Sequence, residues 1–141
     1  LEKEFPGWKI VTPEVLTSPD DRQIWNQSYS NECPGIIRGH FTGKKIGYAI
    51  NLVRGNGKTL EQQIVVFKPI LKGFKKLVID APSHVDVVIV LRKFAPGVYK
   101  SPDSDRSIKV AFDTIGVSEI EAATVVYYWD GKKFRCIQTS V

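Results

Sequence analysis

The chain has 141 residues, of which 43% are hydrophobic and 25% are charged, with 20 Lys and Arg against 15 Asp and Glu. This composition is typical of one soluble globular domain over residues 1–141, and no apolar run reaches the roughly 18 residues of a membrane span. The formal charge of +5 is compatible with an acidic or polyanionic partner, but the basic residues are scattered, which favours an ordinary mildly basic surface.

The first predicted element is a short helix over residues 18–28. Ser18 is a suitable N-cap and Pro19 suits the first helical position, while two aspartates follow near the positive end of the helix dipole. Only Ile24 and Trp25 are apolar in its centre, so we expect this helix to rest on a sheet and not to join a helix bundle.

After Cys33 the sequence becomes rich in Val, Ile, Tyr and Phe, in short runs separated by Gly, Pro, Asn or Asp. The predicted strands are IIRGHF, KIGYAINLV, EQQIVVF, KKLVID, VDVVIVLRKF, SIKVAF and ATVVYYW. No amphipathic helix of crossover length lies between them, so the pairing should be largely antiparallel. We therefore predict an α+β or mainly β fold, with the helix packed on a twisted sheet of about six or seven strands.

The stretch RGNGKT, residues 54–59, contains part of a phosphate-binding loop motif. Leu52 stands where the first glycine of that motif belongs, and the following run is short, β-branched and interrupted by Pro69. Asn56-Gly57 is instead a strong signal for a two-residue hairpin, which would fold IGYAINLVRG back on KTLEQQIVVF. No nucleotide or other cofactor is expected.

The segment ATVVYYWDGKKFRCIQTS predicts a second hairpin, with Asp130-Gly131 as its two-residue turn. Counting back from the turn gives three opposite pairs on the predicted core-facing side: Trp129 with Lys132, Tyr127 with Phe134, and Val125 with Cys136. The other face, which includes Tyr128 and Lys133, is predicted to point outward. Cys136 is therefore expected to be buried.

The cysteine count bears on the compartment. Cys33 and Cys136 are the two cysteines, and an even count fits one disulfide in an oxidising compartment, with two buried free thiols as the alternative. The chain begins at Leu1 and contains no methionine, which fits either a mature exported protein or a trimmed chain. We expect a periplasmic or secreted protein.

Patterns for catalysis and metal binding are weak. His40 and His84 lie on separate predicted strands or their ends, and neither C-x-x-C nor H-x-x-x-H occurs, so no metal site is expected. Cys33 with His40 would make a thiolate pair only if the thiol were not in a disulfide. Asp103 and Asp105 fit a polar turn better than a calcium loop. We assign no catalytic residue, and the aromatic motif of RNA-binding sheets is absent, which argues against nucleic acid as the partner.

Four stretches together carry a resemblance: CPGIIRGHFTGKKIGYAINLV, VVFKP, LRKFAPGVYKS and ATVVYYWDGKKFRCIQTS. Over residues 5–140 they resemble an uncharacterised family of small exported bacterial proteins, and this resemblance implies no known activity. Residues 39–45 also resemble the calcium-binding turn of integrin-type propeller repeats. His40, Thr42 and Lys44 occupy the positions of its acidic ligands, so no calcium is expected.

These observations favour a non-enzymatic periplasmic or secreted binding protein whose partner is another protein. Its most concrete form is an inhibitor or immunity protein for a secreted hydrolase or toxin. The predicted contact residues are Arg92, Tyr99, Lys100, Tyr128 and Lys133. The alternatives are a hydrolase or lyase of a cell-wall polymer, with catalytic residues that the sequence does not place, and a basic module for polyanions.

Overall fold

The computed structural model describes residues 4–13, 23, 25, 33–55, 59–85, 88–100, 107–118 and 124–139. Within these ranges the chain is mostly β-structure, and the strand pairs are antiparallel. The eleven strands of the described residues are β1 (Lys9–Ile10), β2 (Ile36–Gly39), β3 (Gly47–Arg54), β4 (Glu61–Pro69), β5 (Phe74–His84), β6 (Val90–Phe94), β7 (Gly97–Lys100), β8 (Ser107–Val110), β9 (Thr114–Ser118), β10 (Thr124–Trp129) and β11 (Phe134–Thr139).

The strands form three sheets. The five-stranded sheet has the order β1-β3-β4-β5, and β2 pairs with the same edge of β3 as β1 does. The four-stranded sheet has the order β11-β10-β9-β6, while β7 and β8 form a separate hairpin. Both faces of β3 and β4 are covered, which explains why AINLV and QQIVV are unbroken runs of buried residues.

The two larger sheets pack face to face. Ala49, Ile64 and Val66 of the five-stranded sheet lie in one buried cluster with Leu91 and Ile115 of the four-stranded sheet. These residues recur at alternate positions of their strands, as expected for the inner faces of a β-sandwich. This cluster is the central core.

The second face of the four-stranded sheet is covered by the β7–β8 hairpin. Val126 and Tyr128 of β10 lie in a cluster with Val110 of β8, and Tyr99 of β7 packs against it. The sheets therefore stack in three layers, with the four-stranded sheet in the middle.

A buried polar cluster, which we call the polar bridge, joins the two larger sheets. Asn51 and Gln62 are 0% and 1% exposed, and both donate to the carbonyl of Ile89, at 2.8 and 2.9 Å. The Ile89 amide donates to Gln62 Oε1 at 3.0 Å, and Asn51 Nδ2 also donates to the carbonyl of Pro34 at 3.3 Å. Two side chains of β3 and β4 thus satisfy the backbone of the segment that enters β6.

The predicted β3–β4 hairpin is confirmed, but its register is not. Arg54 pairs with Glu61, so residues 55–60 connect the strands, and not the two residues Asn56-Gly57 alone. Gly55 has φ +85°, and a Cβ there would lie 2.6 Å from the Thr59 carbonyl oxygen, so the turn requires glycine at its start. Residues 56–58 lie outside the described part of the chain.

The β10–β11 hairpin is also confirmed with a register shifted by two residues. Trp129 pairs with Phe134, and the Asp130 amide donates to the Lys133 carbonyl at 3.0 Å, so the turn centres on Gly131-Lys132. A shift of two keeps each side chain on its predicted face. The prediction that the Tyr128 face points outward is nevertheless wrong, because the β7–β8 hairpin covers it.

The helix predicted over residues 18–28 lies mostly outside the described residues. Of that segment the structure describes Gln23 and Trp25, both with helical backbone, and no helix is defined within the described ranges, so the N-terminal helix is not shown. Trp25 is 1% exposed, in a cluster with Val53 and Leu60. None of the described segments is a helix of the length and apolarity that a membrane crossing requires.

The prediction of six or seven strands is too low for the described residues. The missed strands are β1, β7 and β9, whereas β11 was predicted as the second strand of its hairpin without being counted among the seven. Each is short, and the β9 segment TIGVS contains a glycine, so none has the long branched or aromatic pattern used to identify strands.

Both cysteines are free thiols, so the predicted disulfide is wrong. Cys33 is partly buried and Cys136 is exposed, which also contradicts the expectation of a buried Cys136. Cys33 precedes Pro34, whose carbonyl accepts the Leu91 amide of β6, whereas Cys136 lies on β11 at the opposite edge of the same sheet. Three strand spacings of about 4.8 Å give about 14 Å, well beyond the ~7 Å Cα separation of a disulfide.

Candidate binding groove

A groove of about 290 Å³ opens where the β4–β5 hairpin meets the β10–β11 hairpin. Its walls come from both larger sheets, so the groove exists only when the sandwich is assembled. The described residues that line it are Lys68, Lys75, Leu77, Val78, Ile79, Trp129, Lys132, Lys133 and Phe134. Four of these side chains are cationic, five are apolar or aromatic, and none of them is acidic.

The aromatic wall is built by the β10–β11 hairpin. Trp129 and Phe134 are directly opposite each other, and their rings meet edge to face with centroids 5.1 Å apart. The Lys68 ammonium lies 4.8 Å from the Trp129 ring centroid, so a cation–π contact joins the two hairpins across the groove.

The lysines are brought together in two pairs. Lys68 and Lys75 are opposite each other on β4 and β5, and Lys132 and Lys133 follow Gly131 in the turn of the other hairpin. Like charges directly opposite on a sheet destabilise it. A bound anionic group would relieve this repulsion, which makes the groove complementary to a negative ligand.

The carboxylate nearest in sequence to these lysines is engaged elsewhere. Asp130 Oδ1 accepts the Lys132 and Lys133 amides, both at 2.8 Å, and Oδ2 accepts Nε of Arg135. The bond from Arg135, followed by the two amides, holds the pKa of the Asp130 carboxyl well below its usual range. Asp130 therefore stays ionised and fixes the turn that carries the two lysines.

Asp80 and Tyr127 are both partly buried, Tyr127 packs against the central core, and the charge of Asp80 acts on the Tyr127 hydroxyl. The β4–β5 ladder shifts register on both sides of Ile64, the partner of Asp80, and such bulges re-aim side chains. Burial raises the pKa of the Asp80 carboxyl. Burial, then the charges of Asp80 and Cys136, raises the pKa of Tyr127 to about 12.

Tyr127 is expected to ionise near pH 12 in the folded protein, compared with its ordinary pKa of 10.0. Since the folded-state pKa is the higher one, this hydroxyl stabilises the fold fully below pH 10, and the contribution is lost as the pH rises through 12. Phenolate absorbance measured against Tyr127→Phe isolates the titration, and Asp80→Asn should move it downward. A Tyr127 titration at pH 10 would contradict this assignment of burial and charge.

The structure does not bring the five predicted contact residues together. Lys133 lines the groove, whereas Tyr128 is 7% exposed and buried under the β7–β8 hairpin. The Tyr99 hydroxyl bonds to the Ala95 carbonyl and to Thr114, the Arg92 guanidinium lies 5.5 Å from the Phe94 ring, and Lys100 is exposed on β7. Of the predicted set, the groove retains Lys133.

The sequence reasoning missed the other groove lysines and both aromatic rings. The usable signal was the pairing of lysines with glycine and aromatic residues in both turns, FKPILKGFKK and WDGKKF. The two turns form one site only because the stacking of the sheets makes the two hairpins neighbours, and the sequence does not reveal this stacking.

Other candidate chemistry does not assemble into a site. His40 and His84 are both exposed, and the His40 amide donates to Asp113 Oδ2 at 2.9 Å while its ring Nδ1 lies 3.9 Å from that oxygen. This pair ties the loop after β2 to the loop after β8. Among the described residues no three His, Cys, Asp or Glu side chains are grouped as metal ligands would be. The Asp103 and Asp105 turn lies outside those residues.

The fold and groove define a layered, antiparallel β-protein with a basic and aromatic cleft. Comparisons with protein-family models, curated proteins and solved structures find no match to this chain. The resemblance to small exported bacterial proteins therefore stays a prediction.

Proposed function

We propose that this chain is a non-enzymatic binding protein whose groove takes an acidic segment of a partner protein. The supporting observation is the convergence of four lysines on an aromatic wall, with no acidic side chain among the described lining residues. Charge complementarity supplies association rate and specificity, while aromatic and aliphatic walls supply the apolar contact of a protein interface.

The shape of the groove favours a protein segment over a long polyanion. Its four lysines line a single cleft together with apolar side chains. This arrangement suits a segment of a partner protein in which acidic and apolar side chains alternate. A polyanion module would instead present basic residues along an open face.

An inhibitor or immunity protein for a secreted hydrolase or toxin remains the most concrete version of this proposal. The two free thiols remove the support that a disulfide would have given to export. The proposed periplasmic or secreted location now depends on the sequence resemblance alone. The groove itself does not discriminate between an exported and a non-exported protein.

Removing the two turn lysines is expected to weaken binding of an acidic, leucine-containing peptide about tenfold, because two partly exposed ion pairs contribute about 1.4 kcal/mol together. The variant is Lys132→Gln/Lys133→Gln. Its matched control, Lys100→Gln/Lys109→Gln, removes the same charge from exposed positions of the β7–β8 hairpin and should bind like the wild type. Titration calorimetry at two salt concentrations provides the affinities.

Three results would count against the proposal. Equal weakening in both double variants would show attraction to the net charge and not to the groove. Stronger binding of a sulfated polysaccharide with a steep salt dependence would favour the polyanion module. Turnover of a cell-wall polymer would favour the enzyme.

A further inference from the structure

The tip of the β4–β5 hairpin exposes large apolar side chains. The Ile70 amide donates to the Gly73 carbonyl at 3.0 Å, which closes a tight turn with Leu71 and Lys72 at its end. Leu71 is 90% exposed and Ile70 is 41% exposed, while Phe74, just after the turn, is 50% exposed. Turn positions usually carry small or polar residues, so local turn chemistry does not explain this apolar tip.

The turn itself stands clear of the rest of the described chain, whereas the Phe74 ring at its base meets the Tyr48 ring edge-on, with centroids 5.9 Å apart. Gly73 has φ +92°, and a Cβ placed on it would meet no atom within 4 Å. The tip is thus a convex, apolar projection at the end of the two longest strands. A convex projection needs a matching pocket on a protein partner, whereas a bilayer surface deforms around it.

Lysines flank this apolar tip in the sequence, and two of them, Lys68 and Lys76, also contact the Trp129 and Phe5 rings. The residues 68–76 include four of them: Lys68, Lys72, Lys75 and Lys76. No Asp or Glu occurs between Glu61 and Asp80, so the hairpin end is uniformly basic in sequence. Apolar residues flanked by lysines are the composition of segments that lie in the interface of a bilayer with anionic headgroups.

We propose that the tip of the β4–β5 hairpin docks on a lipid bilayer that carries anionic headgroups. Leu71 and Ile70 enter the boundary between headgroups and acyl chains, and the lysines lie at the level of the lipid phosphates. This is peripheral attachment. It goes beyond the proposed function of the groove and does not depend on it, because Ile70, Leu71 and Lys72 do not line the groove; Lys68 and Lys75 belong to both surfaces.

Vesicle co-sedimentation tests the proposal with phosphatidylcholine alone and with an equal mixture of phosphatidylcholine and phosphatidylglycerol. The wild type should bind the anionic vesicles and not the neutral ones. Ile70→Ser/Leu71→Ser should lower this partitioning at least about tenfold, and Lys72→Gln about fivefold. Val98→Ser is the matched control, because Val98 is 63% exposed on β7, and it should leave binding unchanged.

Insertion is measured separately with Leu71→Trp. The tryptophan introduced at position 71 should fluoresce at shorter wavelength when anionic vesicles are added, and brominated acyl chains should quench it. The tryptophan emission of the wild type should change less under the same conditions. The groove variant Lys132→Gln/Lys133→Gln should retain vesicle binding, so a failure of one proposal is distinguishable from a failure of the other.

The proposal is overturned if the wild type ignores anionic vesicles, or if Ile70→Ser/Leu71→Ser binds them as well as the wild type does. Equal binding to neutral vesicles would also overturn it, since the lysines would then have no role. A dimer that this serine variant converts to monomer, without vesicle binding, would assign the tip to self-association instead.

Discussion

Gln62→Leu is expected to lower the free energy of unfolding by about 3 kcal/mol, because it leaves at least two buried polar groups without partners. In the wild type, the side-chain amide of Gln62 donates to the Ile89 carbonyl and to Asn51 Oδ1, and the Gln62 side-chain oxygen accepts the Ile89 backbone amide. Leucine fills a similar volume, so the loss arises mainly from the unpaired Ile89 amide and the Asn51 oxygen.

Urea denaturation of this variant should show a lower midpoint with an unchanged slope. Gln138→Leu is the matched control, because Gln138 is exposed on the edge strand β11 and should change stability by no more than about 0.5 kcal/mol. A loss of less than about 1 kcal/mol in Gln62→Leu would mean that water satisfies the Ile89 backbone, and that the polar bridge contributes little.

The polar bridge also matters for the groove. The groove walls belong to two different sheets, and the bridge fixes the segment entering β6 against β3 and β4. If the sheets moved relative to each other, the Lys68 ammonium would lose its contact with the Trp129 ring. The lysine pair of the β4–β5 hairpin would also move away from the lysine pair of the β10–β11 hairpin. Gln62→Leu should therefore weaken binding in the groove even though Gln62 does not line it.

Local turn chemistry predicts the two hairpins correctly but not their registers. At the second hairpin, the Asp130 side chain accepts two turn amides, which moves the centre of the turn from Asp130-Gly131 to Gly131-Lys132. The resulting shift of two residues preserves the alternation of faces. The mainly β, antiparallel character is also predictable from local sequence, because it follows from runs of β-branched residues bounded by Gly, Pro and Asp.

The assignment of inside and outside fails where a third layer is present. Both faces of β10 are covered, and its alternation of buried and partly buried residues does not reveal which face meets the larger sheet. The covering hairpin begins with GVYK, too short and too polar to be recognised as a strand. Tyr128 therefore entered the predicted contact surface although it is core.

The groove itself is beyond prediction from the sequence alone, because Lys68 and Lys133 become neighbours only through the stacking of two sheets. The same nonlocal geometry separates Cys33 from Cys136. An even cysteine count permits a disulfide, but the strand order places the two thiols at opposite edges of the four-stranded sheet.

The junction of β1 and β2 is where a single methyl group should have a large effect. The Asn51 amide donates to the Gly35 carbonyl at 2.7 Å, and the Asn51 carbonyl accepts the Val11 amide at 3.0 Å, so both short strands meet at one residue of β3. A Cβ on Gly35 would lie 2.1 Å from the Val11 carbonyl oxygen and 2.6 Å from Cγ2 of Ile10.

Gly35→Ala is therefore expected to cost on the order of 3 kcal/mol, because backbone atoms cannot give way and β1 must leave the edge of β3. Displacing β1 also uncovers the outer face of the sheet, where Phe5 and Trp8 pack with Leu52. Hydrogen exchange should then accelerate at the Val11 amide more than in β10, and urea denaturation should show the loss of stability.

Gly43→Ala separates this steric effect from the general effect of replacing glycine. A Cβ on Gly43 would meet nothing within 4 Å, and its φ lies outside the left-handed region, so alanine should be tolerated within about 0.5 kcal/mol. If Gly35→Ala were as stable as Gly43→Ala, the Val11 carbonyl could not lie as close to residue 35 as the 2.1 Å contact implies, and β1 would have to pair with β3 at a greater distance from β2. The N-terminal segment would then be a loose cover of the sheet instead of a fixed part of its edge.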